Sequence, residues 1–387
     1  MSRPAPPVKT SVPELDPLEV SSGVVTGPRR GLLEEIEGEP SAGPRETLEQ
    51  LLLEALQRPP CVVAFSGGRD SSAILAAVTA AARANGLEDP IPFTLRFGEA
   101  PRTDETAWQE LVIRHLGLDD WTTRAVTDEL DALGPLALGV LRRLGVHWPP
   151  NIHTFELLLE PAAGGSLVTG NGGDELFTAW GGHRWALLRR GRTLPRRADL
   201  RPLATALLPT PILATRPRFR LSWLRPAAAR KVARRMVADM KEFEHDWAEA
   251  NEVRMASRYM ELATAATAAM AANAGVRLVE PFFDPRYVRA VYADAPPQGY
   301  PSRTVAMERN FGDILPPELP GRTSKAMFTE VFVGPETRRF ATEWDGRGVD
   351  PELVDVEALR ARWLADRADI RTLVPVQAAW LASQPGA

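Results

Sequence analysis

The chain has 387 residues, 44% of them hydrophobic, and a formal net charge of −4 at pH 7. That is the make-up of a globular protein with one large or two medium domains, and its slight acidity and few aromatics speak against a nucleic-acid-binding surface. No run of 18 apolar residues and no apolar N-terminal segment occurs, so neither a membrane span nor a secretory leader is expected; the single cysteine, Cys61, cannot form an intrachain disulfide, which points to the cytoplasm.

Residues 1–45 are rich in Pro, Gly and Ser and are expected to form a loosely ordered or lightly docked arm. Leucines at helical spacing predict a helix over 46–57. The β-branched run at 61–65 predicts a strand, with Cys61 as a small core residue, and the Ala-rich stretch 73–84 a helix after it. Further strands are expected at 91–97, near 121–126 and at 166–169. The tract 186–250 is rich in Arg and Pro and reads as an insertion. Its arginines, Arg189 and Arg190 through Arg225, suit either a solvated face or a surface for an acidic peptide or carrier protein. A long Ala/Met helix is expected at 252–274. Strands alternating with helices give an α/β fold with a doubly wound parallel sheet and a mostly helical C-terminal part, one domain over 46–385.

The chemistry is concentrated in two loops. Ser66-Gly67-Gly68-Arg69-Asp70-Ser71-Ser72 follows the first strand and opens a helix. Gly67 and Gly68 let the backbone turn and approach a ligand closely. Ser66, Ser71 and Ser72 add hydroxyls, and the free N–H groups at the helix start complete an anion cradle. A carboxylate beside phosphate repels unless a cation lies between, so Asp70 implies a nucleotide with Mg²⁺. The Walker pattern Gly-x-x-x-x-Gly-Lys-Ser/Thr is absent. In the second loop, Gly170-Asn171-Gly172-Gly173-Asp174-Glu175 follows another short strand. Two such units in one doubly wound sheet can bring Asp70 and Asp174 to the same sheet edge, where ligands bind, and so to one Mg²⁺. Acids at a helix start also suit the helix dipole, which is the plainer reading of Asp174 taken alone. No zinc-type cluster and no Gly-x-Ser-x-Gly elbow is present.

The first loop is similar to the pyrophosphate loop of ATP pyrophosphatases. Together the two loops resemble the synthetase domain of the asparagine synthetase family, which includes β-lactam synthetases and lasso-peptide cyclases. Three further stretches carry the resemblance: Thr103-Asp104-Glu105-Thr106-Ala107, Glu280-Pro281-Phe282-Phe283-Asp284, and Arg322-Thr323-Ser324-Lys325-Ala326-Met327-Phe328. The resemblance implies an ATP-pyrophosphatase-type fold, with ATP and Mg²⁺ held by Ser66, Gly67, Gly68, Asp70, Ser71, Ser72, Gly170, Gly172, Gly173 and Asp174. It further implies an AMP-forming amide ligase that adenylates a carboxylate and passes it to an amine, with Lys325 as the catalytic lysine. Arg322 and Lys325 stand one residue further apart than in the family's Arg-x-Lys.

Full asparagine synthetases carry a glutaminase whose nucleophile is a cysteine after Met1. Position 2 is Ser2 here, and the stretch before the first loop is too short for that domain. The nitrogen is therefore expected from free ammonia, from a partner subunit or from an amine-bearing substrate, such as a peptide delivered by another protein. Asn171 stands where asparagine synthetases have Glu and β-lactam synthetases have Tyr; a side-chain amide cannot take a proton from an amine and is expected to orient substrate instead. Glu261 falls near the place where the β-lactam enzymes keep a glutamate, and is the candidate base; a solvated helix residue is its plainer reading. Tailoring or peptide cyclisation in specialised metabolism is the preferred role. Ammonia-dependent asparagine synthesis and a non-catalytic nucleotide-binding scaffold stay open.

Overall fold

Alternate residues of the first strand belong to different cores, and that places the sheet at the centre of the molecule. Cys61–Ala64 forms β1. Val63 packs with Leu48, Leu52, Ile74 and Val78 on one face, whereas Val62 packs with Val140, Ile152, Phe155 and Met270 on the other. A strand buried on both faces reads as a continuous apolar run, the signature of a parallel sheet covered by helices.

The computed structural model describes residues 12–27, 42–98, 100–177, 208–216, 219–242, 247–296, 299–322, 326, 328–367 and 369–384. In chain order it has α1 (Pro17–Ser22), α2 (Pro44–Leu56), β1, α3 (Arg69–Ala84), β2 (Ile91–Arg96), α4 (Thr106–Leu116), β3 (Thr122–Ala125), α5 (Pro135–Leu144), α6 (Thr154–Leu159), β4 (Ser166–Val168) and α7 (Gly173–Phe177). There follow α8 (Thr210–Leu213), α9 (Pro226–Glu242), α10 (Trp247–Met255), α11 (Arg258–Ala274), β5 (Arg277–Val279), α12 (Pro285–Asp294), α13 (Arg303–Phe311), α14 (Pro335–Glu343), α15 (Val356–Trp363) and α16 (Leu373–Ala382).

The strands lie in the order β3-β2-β1-β4-β5, and every pairing is parallel. Val62 pairs with Ile91 on one side and with Leu167 on the other. The order reverses at β1, between β2 and β4, so the crevice for a ligand opens at the C-terminal ends of these strands.

Two expectations are refined. The helix after β1 begins at Arg69, so Asp70, Ser71 and Ser72 occupy its first turn. The single helix expected over 252–274 is two, α10 and α11, because Ser257 takes extended backbone (ψ 150°) at the N-cap of α11. Of the Arg/Pro-rich tract, residues 208–216, 219–242 and 247–250 are described, and Arg189 through Arg201 lie outside the described residues.

Within the N-terminal stretch, α1 is docked on the later helices. Asp16 and Glu19 form a capping box: Asp16 Oδ1 accepts from the backbone N–H of Leu18 and Glu19, each at 2.8 Å, and Glu19 Oε2 accepts from the N–H of Asp16. Glu19 is buried and pairs with Arg258 Nε at 2.7 Å. Trp223 Nε1 donates to the Ser21 carbonyl at 3.0 Å. The chain then passes so close to Arg371 that a Cβ on Gly23 would stand 1.7 Å from the Arg371 carbonyl oxygen. Among the described residues no helix is long and apolar enough to cross a membrane.

Candidate active site

The first loop joins β1 to α3, and two of its carbonyls are held by side-chain donors. Gln109 Nε2 donates to the Ser66 carbonyl at 3.1 Å, and Arg322 Nη1 donates to the Gly67 carbonyl at 2.6 Å. Arg322 is itself held by an ion pair with Glu105 and by stacking 5.0 Å above the Trp108 ring. Gly67 adopts φ +80°, and a Cβ there would meet Gln109 Cγ at 2.8 Å, so the tight turn needs glycine. Gly68 is the N-cap of α3 and makes no side-chain cap bond. The first N–H groups of this 16-residue helix therefore lack a side-chain cap, an arrangement suited to phosphate. Ser71 Oγ accepts from the Ser66 N–H at 3.2 Å and lies 3.0 Å from Ser66 Oγ, so the two hydroxyls brace the loop. Ser72 points into the protein, where its buried hydroxyl has no partner.

The second loop crosses directly over the first. A Cβ on Gly170 would lie 2.7 Å from the Asp70 carbonyl carbon, and one on Gly173 would lie 2.3 Å from Asp70 Cγ. Glycine at both positions is what lets the loops touch. Asp70, in the first turn of α3, and Asp174, in the first turn of α7, thereby converge. Both pair with one guanidinium, that of Arg303 at the start of α13. The three side chains are 20%, 42% and 14% exposed, respectively, so the cluster is open enough for exchange with solvent ions.

A hard divalent cation fits this place. Two carboxylates from separate elements already meet on a positive charge, and Mg²⁺ in nucleotide sites typically takes one or two carboxylates, with phosphate oxygens and water completing its shell. Among the described residues no group of three or more His, Cys, Asp or Glu could hold a metal by itself, which suits a cation that arrives with its nucleotide.

A third carboxylate lies on the far side of the second loop. Glu280 directly follows β5, and its carboxyl accepts from Asn171 Nδ2 at 2.8 Å, Thr267 Oγ1 at 2.9 Å and Thr169 Oγ1 at 3.2 Å. Burial pushes its pKa above the usual carboxylate range, against the three hydrogen bonds, which favour the charged form. Glu175, next to Asp174, has a different task. It accepts from Tyr259 Oη at 3.0 Å and lies 3.7 Å from Arg254 Nη2. Burial, and then the Glu175 charge, hold the Tyr259 phenol well above its ordinary pKa.

Parts of both loops, Glu175, Tyr259 and Glu280 border one cavity of about 730 Å³ at the C-terminal ends of β1, β2 and β4. Ser66, Gly68, Asp70, Ser71, Gly170, Asn171, Gly172 and Asp174 line it, as do Glu280 and Arg303. The β2 side is apolar, with Phe93, Leu95, Phe97, Phe328 and Phe332. Glu261 is not in the lining, although Met260, Ala263 and Thr267 of the same helix are. Lys325 lies outside the described residues; Arg322, Ala326 and Phe328 around it line the cavity. His153 is buried, donates through Nε2 to the Leu130 carbonyl at 2.9 Å, and packs edge-on against Phe332; burial lowers its pKa.

Glu280 and Arg303 are site residues that the sequence analysis does not single out. Glu280 lies in the Glu280-Pro281-Phe282-Phe283-Asp284 stretch, and its place at the end of a strand, just before Pro281, is the signal for it. Arg303 offered none, being one arginine among many.

A parallel sheet whose strand order reverses at β1, with a glycine loop on a helix start and two carboxylates at the crevice, defines an α/β nucleotide-binding enzyme. The asparagine synthase family model matches residues 45–383, and the chain belongs to that family. Its fold is accordingly of the ATP-pyrophosphatase type, and its class is that of ATP-using, amide-forming C–N ligases. The crystal structure of NAD⁺ synthetase from Burkholderia pseudomallei is similar at 17% identity over 61% of this chain and 94% of that chain, with a TM-score of 0.25. No curated protein matches the sequence.

Proposed function

We propose that the protein adenylates a carboxylic acid with ATP and transfers the acyl group to an amine, releasing pyrophosphate and AMP, as a tailoring or peptide-cyclising step in the cytoplasm. The observation that carries this reading is the convergence of Asp70 and Asp174 on one positive charge beside the first loop. Those two carboxylates would hold Mg²⁺, which when bound supplies charge neutralisation along the β and γ phosphates. The capless N-terminus of α3 and the Ser66 and Ser71 hydroxyls bind phosphate oxygens. The substrate carboxylate then attacks the α-phosphorus, pyrophosphate departs and an acyl-adenylate remains. Lys325 is assigned to the charge that develops on the phosphates and on the tetrahedral oxyanion of the transfer step.

The lining supports an acid other than aspartate. Its described cations are Arg69, Arg303 and Arg322, all close to the first loop. Arg303 and Arg322 are paired with carboxylates of the protein, and Arg69 opens α3. The opposite wall offers aromatic and aliphatic surface, which suits an acyl group without a second carboxylate. Release of pyrophosphate from ATP and Mg²⁺ across a panel of acids tests the reading: apolar and aromatic acids should exceed aspartate. Fastest turnover with aspartate and ammonia would assign the chain to asparagine synthesis instead, and no nucleotide turnover with any acid would leave a nucleotide-binding scaffold.

A further inference from the structure

Three guanidiniums lie around the first loop, and two of them are committed to carboxylates of the protein. Arg303 serves Asp70 and Asp174, and Arg322 serves Glu105. Arg69 is not so engaged. Among the described residues its one hydrogen bond runs from Nη1 to the Pro320 carbonyl, at a long 3.4 Å, and no carboxylate forms an ion pair with it. Thr323, Ser324 and Lys325, outside the described residues, carry no carboxylate either. The place of Arg69 is unfavourable to a cation in three ways. It is the first residue of α3, at the positive end of the helix dipole. It is half-buried, and burial disfavours its charged form. The charges of Arg303 and Arg322 repel it, and the Asp70 carboxylate does not make up the difference, so its pKa falls below the ordinary arginine value. Arg69 nevertheless lines the cavity beside Ser66, Gly68 and Ser71. An anion there would pair with the guanidinium and with the helix start at once.

We propose that Arg69 is a binding residue for the pyrophosphate end of the nucleotide, its guanidinium donating to non-bridging phosphate oxygens. The proposal rests on the acyl-transfer reading above and adds the side chain that receives the leaving anion. In that reaction a carboxylate oxygen bonds to the α-phosphorus. The bond from the α-phosphorus to the oxygen it shares with the β-phosphorus breaks, and the electron pair stays with pyrophosphate. Negative charge thus grows on the leaving group, where a permanently charged, planar fork of donors suits phosphate oxygens. Arg303 and Arg322 could turn to that anion only by releasing a carboxylate, whereas Arg69 gives up no more than a long bond to a carbonyl. AMP lacks the pyrophosphate end, so Arg69 favours the triphosphate and the departing pyrophosphate over the monophosphate. The residue lowers the stability of the empty protein and raises its hold on the anion, the trade-off found where a site asks for what the fold does not.

Equilibrium binding and melting test this without knowledge of the acid. The full-length protein is titrated calorimetrically with inorganic pyrophosphate and, separately, with AMP, both in the presence of Mg²⁺. Arg69→Gln should weaken pyrophosphate binding at least about tenfold, the scale of a charge-assisted hydrogen bond, and change AMP binding by less than about threefold. Without nucleotide, the variant should melt at or slightly above the wild-type temperature, because the change removes a cation from a helix start. Three binding results overturn the proposal: no pyrophosphate binding to the wild type, unchanged binding to the variant, or an equal loss for AMP. A variant that melts lower or fails to fold overturns it too, since Arg69 would then be a structural residue. Because no turnover is measured, a failure of pyrophosphate release with every acid would strike the acyl-transfer reading and leave this result standing.

Discussion

The two carboxylate clusters on either side of the second loop are solved in opposite ways. Asp70 and Asp174 are partly exposed, come from two helix starts and share the Arg303 guanidinium. Glu280 is half-buried, comes from the end of an edge strand and is satisfied by an amide and two hydroxyls. A guanidinium can be exchanged for another cation, since its removal leaves two negative groups facing one gap. Neutral donors cannot be exchanged in that sense; they stabilise the carboxylate without fixing its charge. The first cluster is therefore suited to an ion that comes and goes with the nucleotide, and the second to a proton.

The severest test removes one member of the charged pair. Asp70→Asn or Asp174→Asn should lower Mg²⁺-dependent pyrophosphate release by at least about 100-fold, while the melting temperature stays within a few degrees of the wild type. Near-normal turnover in either variant would mean that the two acids do not act on one cation. A smaller effect should come from Arg303→Met. Without the guanidinium, Mn²⁺ binding in the absence of nucleotide, followed by electron paramagnetic resonance, should tighten about tenfold, the scale of one charge interaction in a partly exposed site. Unchanged affinity would show that Arg303 does not compete for the metal position, and the contrast with Glu280 would lose half its basis.

The smallest effect concerns stability against pH. Below the unfolded pKa of a glutamate, about 4.3, Glu280 is protonated in both states and contributes no difference. Above it the unfolded chain ionises first, because burial raises the folded value, so stability falls as pH rises through the folded pKa. Glu280→Gln removes this loss. The melting temperature of the variant relative to the wild type should therefore climb by a few degrees between pH 4 and pH 8. A flat or descending difference would place Glu280 among ordinary charged carboxylates.

Legibility in the sequence followed the range of the physics. Both loops could be read because glycine, hydroxyl and acid stand next to one another where strand gives way to helix, and strands β1, β2 and β4 could be read from their apolar runs. The nearness of the loops could be argued from topology, but the reason for the glycines could not: Gly170 and Gly173 answer to Asp70, about a hundred residues earlier. Glu261 and Thr267 share α11, and only the helix phase separates them. Met260, Ala263 and Thr267 at spacings of three and four face the cavity, and Glu261 is turned about 100° from Met260. That phase depended on Ser257 restarting the helix, a break that an Ala-rich stretch does not announce. The Glu280 cluster draws Thr169 and Asn171 from one loop, Thr267 from a helix and Glu280 from a strand end, so no local pattern contains it.

The docking of α1 carries a practical consequence for anyone handling this protein. Glu19 grips Arg258, the residue immediately before Tyr259 and Met260 of the cavity wall, and Ser21 receives the Trp223 indole. The N-terminal stretch thus serves as a strap buckled across the helix that forms one side of the substrate chamber. Trimming the chain back to its family-matched region, which starts at residue 45, would cut the strap and leave Arg258 facing an empty groove. Boundaries drawn from the family match alone would discard part of what holds the chamber in shape.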